Sequence, residues 1–127
     1  MKLSVVLLEY HSLNEIITAV ESIRKYEPDC EIVVSSNSLY NLEEQKTALE
    51  SVPYAKWVFN EENGGFGYGM TMGANKAGGD YIVFLNSDVI LLDNFEKMIQ
   101  YMDAHPHIGL IATELIDENG AAQDSNR

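Results

Sequence analysis

Cysteine, proline and basic residues are scarce in this 127-residue chain, which has one Cys, three Pro and eight Lys plus Arg against twenty Asp plus Glu. Cys30 alone can close no internal disulfide and build no thiolate zinc site, which fits a reducing, cytoplasmic setting. A net charge of −12 excludes a nucleic-acid surface, because a phosphate backbone is met by clustered Lys and Arg. The same charge opposes any anionic ligand unless a cation offsets it, although solvated acidic surface accounts for most of it. The longest apolar runs are of strand length, far short of the roughly 20 residues that span a bilayer, so no transmembrane segment is expected. The first residues carry neither the basic region nor the hydrophobic run of a secretory signal. No repeat, low-complexity tract or linker divides the chain. Residues 1–127 therefore read as a single domain, large enough for a real core and short for an enzyme that must hold two substrates.

What is present is an alternation of short apolar runs and amphipathic segments, the pattern of an α/β fold with a mostly parallel sheet flanked by helices. Strands are expected at residues 3–8, 31–35, 55–59, 81–85 and 108–113, the fourth being the most apolar and so the central one. Helices are expected from Ser12 to about Tyr26, from Asn41 to about Glu50, over 66–77, and from Asp93 to just before Pro106. Three of them begin with capping-box spacing, Ser12 with Glu15, Asn41 with Glu44 and Asp93 with Glu96. Gly78-Gly79 is expected to end the remaining one, and Asp117-Glu118-Asn119-Gly120 reads as a turn.

Two motifs point to chemistry. The glycine-dense turn Asn63-Gly64-Gly65-Phe66-Gly67-Tyr68-Gly69 lets backbone approach a ligand. The strand at 81–85 runs into Asn86-Ser87-Asp88, which can set a metal ligand at the carboxyl edge of a parallel sheet. Residues two apart on extended backbone share a side, so Asn86 and Asp88 can both face a ligand there. One carboxylate and one amide make a thin metal site, sufficient for Mg or Mn when pyrophosphate oxygens and water fill the other positions. The same triplet also suits capping of the following turn. The glycine segment follows the third strand with spacing too short for a dinucleotide fingerprint, and it lacks the Gly-Lys-Ser/Thr ending of a P-loop, so both of those readings are set aside. His105 and His107, flanking Pro106, read as surface histidines. Trp57, Tyr26, Tyr54 and Tyr101 read as core or half-buried positions, and Met70 and Met72 as helix packing.

The pattern as a whole resembles a known family. Val5-Val6-Leu7-Leu8-Glu9-Tyr10-His11-Ser12, Glu31-Ile32-Val33-Val34, Asn63-x-Gly65-Phe66-Gly67, the run from Gly79-Asp80 through Leu85-Asn86-Ser87-Asp88-Val89, and Ile108-Gly109 with Asp117-x-x-Gly120 are similar to the nucleotide-sugar half of a family 2 glycosyltransferase, nearest its rhamnosyltransferase-like branch. The resemblance implies a GT-A fold, Rossmann-like and truncated here. It implies inverting transfer of a hexose or deoxyhexose from a UDP- or dTDP-sugar to a glycan or lipid-linked acceptor in polysaccharide biosynthesis, in the cytoplasm or at the inner face of the membrane. It also implies that Glu9, Tyr10 and His11 lie beside the base, Ser35, Ser36 and Asn37 near base and ribose, and Asn63, Gly65, Phe66 and Gly67 along the nucleotide cleft with Asn86. Asp88, the last residue of a DXD-like motif, is implied to bind Mg or Mn.

The chain departs from that family at Ser35, where Asp is usual, at Glu9 and His11, where the turn usually reads Asn-Tyr-Asn, at Thr71, near which an Asn is expected, and at Ser87, where Pro is common. The acceptor-binding part and the general base of such enzymes lie beyond the metal motif. Glu114, Asp117 and Glu118 are the late carboxylates here, and a polar turn explains them more simply. A noncatalytic GT-A-like module with a decayed donor site, acting through assembly with another chain or a second copy of itself, is the alternative expectation.

Overall fold

The computed structural model describes residues 3–111, 115–116 and 122–123. It has two compact units, Met1–Asn94 and Phe95–Arg127. The first contains β1 (Leu3–Glu9), α1 (Leu13–Tyr26), β2 (Glu31–Ser36), α2 (Leu42–Ser51), β3 (Lys56–Phe59), α3 (Phe66–Ala74) and β4 (Tyr81–Leu85). Its strands form one sheet in the order β3-β2-β1-β4, parallel throughout, with Val5 opposite Ile32 and Val83, and Val34 opposite Trp57. Four parallel strands joined by helices are the expected α/β architecture.

The core forms where the apolar runs meet. Val5, Val6 and Leu7 of β1 and Val33 and Val34 of β2 are fully buried. Helix α1 buries Ile16, Ala19, Val20 and Ile23, the i, i+3, i+4, i+7 stripe of an amphipathic helix. Met70 of α3 packs between Val6 and Val33, as its reading as a packing residue anticipated.

Strand β4 corrects one expectation. Apolar composition pointed to a central position, yet among the described residues β4 is an edge strand, with Ile82 37% and Phe84 49% exposed. The inner places belong to β1 and β2, each hydrogen-bonded on both sides. Apolar residues on a strand record a tendency to pack and do not fix strand order.

The three capping boxes also part ways. That of Asn41 with Glu44 forms in full, Asn41 Oδ1 accepting from the Glu44 N–H at 2.9 Å and Glu44 Oε1 from the Asn41 N–H at 3.0 Å. At α1, Ser12 is the N-cap but its side chain caps nothing. Its hydroxyl accepts from the Tyr10 N–H at 3.3 Å, and Glu15 accepts from the Ser87 hydroxyl at 3.2 Å. The third helix expected to carry a box begins later than predicted, at Glu96, with Phe95 as its N-cap, and Asp93 Oδ1 accepts from its neighbour, the Asn94 N–H, at 2.8 Å.

Helix α3 ends at Ala74 rather than residue 77, because Lys76 and Ala77 donate to the carbonyls of Gly73 and Ala74 in tight turns, both at 3.1 Å. Gly78 and Gly79 instead thread the bottom of the sheet, donating to Glu31 Oε1 and Ser4 Oγ, each at 2.8 Å. Ser4 in turn donates to Glu31 at 2.7 Å, and Lys56 pairs with Glu31 at 3.2 Å. A Cβ on Gly79 would stand 2.7 Å from the Ser4 nitrogen and 2.9 Å from the Tyr81 carbonyl, so this crossing admits only glycine.

The second unit holds α4 (Glu96–Ala104) and an antiparallel pair, β5 (Leu115–Ile116) and β6 (Ala122–Gln123). The His105 ring stacks on Tyr101 at 4.1 Å, and its Nδ1 lies 2.8 Å from the Tyr101 carbonyl, which gives this histidine a local structural role. The strand expected at 108–113 does not form over 108–111. Residues 112–113 and the turn at 117–120 lie outside the described residues. No helix among the described residues is long and apolar enough to cross a membrane.

Candidate functional site

Parallel strands put all their carboxyl ends on one edge, the edge at which open α/β sheets bind ligands. Here that edge carries the segments after Glu9, Ser36, Phe59 and Leu85, and these hold the residues singled out by the sequence. Two backbone bonds extend the ladder past the strands, from the Asn37 N–H to the Glu9 carbonyl at 2.9 Å and from the Asn60 N–H to the Ser36 carbonyl at 3.0 Å.

On one side of β2, Ser35, Asn37 and Asn60 form a buried polar chain. Asn60 Nδ2 donates to Ser35 Oγ at 2.9 Å and to Asn37 Oδ1 at 2.8 Å, while Asn37 Nδ2 donates to the Gly65 carbonyl at 3.0 Å. This chain ties the ends of β2 and β3 to the start of α3, where Gly65 has φ +95, a left-handed conformation natural to glycine. Asn63 Oδ1 accepts from the Gly65 N–H at 3.2 Å. The turn itself faces solvent, with Asn63, Gly65, Phe66 and Gly67 all exposed. Asn60 is not among the residues that the sequence motifs single out, and its only signal is an amide directly after the strand 56–59.

On the other side of β2, Glu9 is wholly buried. Oε1 accepts from the hydroxyls of Ser36 at 2.6 Å and Ser38 at 2.7 Å. Oε2 accepts from the Tyr40 hydroxyl and the Ser12 N–H, each at 2.8 Å. Burial pushes this carboxyl upward, but hydrogen bonds from Ser36, Ser38, Ser12 and Tyr40 outweigh it and hold the pKa below the ordinary 4.5. Glu9 therefore points into the protein, whereas Tyr10 is 54% exposed and meets the His11 ring edge-on at 4.4 Å. Ser38 and Tyr40, absent from the sequence-based site, follow Ser36 at every second position, the one signal that could have joined them.

Glu31 is likewise held below 4.5, by the Gly78 N–H first and then the Ser4 hydroxyl, against a smaller opposing effect of burial, with Lys56 adding to the lowering. Both acids thus bind protons more weakly folded than unfolded. Their stabilisation is complete above about pH 4.5 and disappears as pH falls through the folded values. Urea midpoints measured from about pH 6 to about pH 3 should fall with pH, and the fall should be shallower in Glu9→Gln, which has no carboxyl to protonate there. Identical slopes for the two proteins would refute this account of Glu9.

Asn86 and Asp88 stand on the loop after β4, both exposed. That loop is fastened to α1 by the Ser87 bond to Glu15 at 3.2 Å and by the Leu91 N–H donating to Ser22 Oγ at 3.0 Å. Among the described residues no three His, Cys, Asp or Glu side chains gather as a metal cluster. Glu114, Asp117 and Glu118 lie outside the described residues.

The fold and this edge define an α/β domain of the GT-A, Rossmann-like kind. Residues 4–123 match the profile of Glycosyl transferase family 2, and the chain belongs to that family. Similar solved structures include S. aureus TarS 1–349, at TM-score 0.66 and 20% identity over 93% of this chain and 40% of that one. The same TarS fragment in complex with UDP gives TM-score 0.65 and 20% identity over 94% and 43%. The mannosyltransferase PcManGT from Pyrobaculum calidifontis, in complex with GDP-Man and Mn2+, gives TM-score 0.65 and 16% identity over 85% and 34%. The chain thus spans less than half the length of these structures. Comparison with curated proteins gives no match.

Proposed function

We propose that the chain forms the donor-binding part of an inverting glycosyltransferase, taking a UDP- or dTDP-sugar for transfer of a hexose or deoxyhexose to a glycan or lipid-linked acceptor. The observation that carries this reading is the convergence at one sheet edge of the exposed Tyr10 and His11 rings, the Ser35-Asn37-Asn60-Gly65 chain leading to the glycine turn, and the exposed carboxylate of Asp88. TarS crystallised with UDP and PcManGT with GDP-Man and Mn2+ support the ligand class, and the motifs in this sequence support the rhamnosyltransferase-like branch.

In this reading Tyr10 and His11 lie against the base, Ser35 and Asn37 border the ribose side, and the glycine turn lets the nucleotide approach backbone. One exposed carboxylate fits a cation that arrives with a diphosphate rather than a resident metal, because Mg and Mn accept one or two protein carboxylates when phosphate oxygens and water complete the shell. Asp88, with Asn86 beside it, would hold that ion, which when bound supplies charge stabilisation to the departing nucleoside diphosphate. The single free Cys30 is what supports a cytoplasmic setting; burial and the charges of Glu27, Asp29 and Glu31 push its thiol up to about 11, which makes it a poor nucleophile.

Calorimetric titration with UDP and dTDP, with and without Mn, tests the reading. Metal-dependent binding of either nucleotide is the expected result. No binding at about millimolar nucleotide, a free energy of only about −4 kcal/mol, would instead favour the noncatalytic module acting through association.

A further inference from the structure

Glu9 gathers donors from two separate loops. The Ser12 N–H belongs to the turn after β1, and the Ser36, Ser38 and Tyr40 hydroxyls belong to the end of β2 and the loop beyond it. A carboxylate has about four lone-pair sites, and here each meets a donor. The linkage continues outward, because Ser38 Oγ accepts from the His11 N–H at 2.7 Å and Ser36 Oγ from the Ser38 N–H at 3.3 Å. His11 at φ 50 and Leu39 at φ 59 are the non-glycine residues with left-handed backbone among the described residues. One lies in each loop, a strained geometry that persists only where surrounding bonds over-determine it.

Resting on the donor-site reading above, we infer that Glu9 is a positioning residue. Its buried carboxylate locks the 10–12 and 36–40 loops to each other, and so aims the Tyr10 and His11 rings at the nucleoside of the donor without touching it. Its carboxylate is turned inward onto four donors. Glutamine has nearly the same shape but only one acceptor oxygen. Its NH2 cannot face the Ser12 N–H, a donor fixed in the backbone, so it must turn towards Ser36 and Ser38. Their hydroxyl hydrogens then lose their acceptor, and the link that reaches His11 is the one disturbed.

The test compares Glu9→Gln with wild type in three measurements: UDP affinity with Mn, affinity for Mn with inorganic pyrophosphate, and amide hydrogen exchange without ligand. Positioning predicts that UDP affinity falls about tenfold or more, the equivalent of one lost buried hydrogen bond, while pyrophosphate affinity changes less than about twofold. It also predicts that the His11 and Ser38 amides lose protection while the Ser12 amide, which keeps its acceptor, and the amides of β1 and β2 keep theirs. A purely structural role would lower both affinities together or spread the exchange over the sheet, and unchanged UDP affinity with unchanged exchange would also overturn the inference. If Glu9→Gln does not fold, Ser38→Ala, which keeps the carboxylate, is held to the same outcomes. A wild-type chain that binds no nucleotide sinks the donor-site reading and, with it, the aim at a nucleoside. The exchange pattern then decides the loop lock by itself, local loss at the His11 and Ser38 amides upholding it and no loss overturning it.

Discussion

Replacing Asp88 with alanine is expected to abolish the Mn-dependent part of UDP binding while leaving the fold unchanged. Asp88 is exposed on a loop whose anchors are Ser87 on Glu15 and Leu91 on Ser22, so removing its carboxylate should alter stability by no more than about 0.5 kcal/mol. Binding is a different matter. A chain with charge −12 gains little from meeting a diphosphate unless a cation lies between them. Among the described residues no cluster of three His, Cys, Asp or Glu side chains stands by to compensate for the loss. Even groups that only support a metal's ligands are worth about 10 to 100-fold in affinity, so loss of the ligand itself should weaken UDP binding in Mn by about 100-fold. Mn without nucleotide should bind weakly to wild type and variant alike. Calorimetry of UDP with Mn and with EDTA, alongside a thermal melt, separates these effects. Equal Mn enhancement in the variant would move the cation site away from Asp88.

How much of this was legible beforehand follows from how far apart the interacting residues stand. The strands at 3–8, 31–35 and 81–85 were legible because apolar runs are local, and so was the Asn41 cap, whose partner is Glu44 three residues on. Ser12 and Glu15 have the same local spacing, but the tight turn at Tyr10 claims the serine and Ser87, far along the chain, claims the glutamate. The inward turn of Glu9 was illegible for a related reason. Residues 3–8 alternate hardly at all, since β1 is buried on both faces, so no period-2 signal showed which way the next side chain would face. The Ser36, Ser38 and Tyr40 partners lie 27 to 31 residues away. That the glycine turn and the acidic strand end fall at one edge of the sheet was legible, because each directly follows a strand of a parallel sheet. The polar chain through Asn60 needed β2 and β3 to be paired before Asn60 and Ser35 could be neighbours.

Gly73 provides the second large effect, and here two physical terms have opposite signs. Glycine is a poor helix former, and Gly73 lies inside α3, so propensity alone says that Gly73→Val should stabilise by a few tenths of a kcal/mol. Packing says the reverse. A Cβ at Gly73 would stand 2.6 Å from Val6 Cγ1 and 3.3 Å from Ser35 Cβ, and Val6 and Ser35 are both fully buried. Valine adds two methyl groups beyond that Cβ, and α3 must lift from the sheet to admit them. Gly69, one turn earlier, is equally closed, by Leu8 and by Asn37 Nδ2 at 2.9 Å, so the helix cannot escape by pivoting about that end. Overpacking of this kind costs about 3 kcal/mol, which exceeds the propensity gain several-fold and should lower the melting temperature by about 10 °C. Gly67, with nothing within 4 Å of its Cβ position, isolates the propensity term, and Gly67→Ala should leave stability unchanged or raise it by up to about 1 kcal/mol. Val6→Ala in the Gly73→Val background removes the methyl group that collides and should restore part of the loss, even though Val6→Ala alone destabilises by opening a cavity. A Gly73→Val protein as stable as wild type would mean that α3 rides higher on the sheet than this packing allows. The chain from Asn37 to Gly65 would then no longer hold the glycine turn at the carboxyl edge of the sheet.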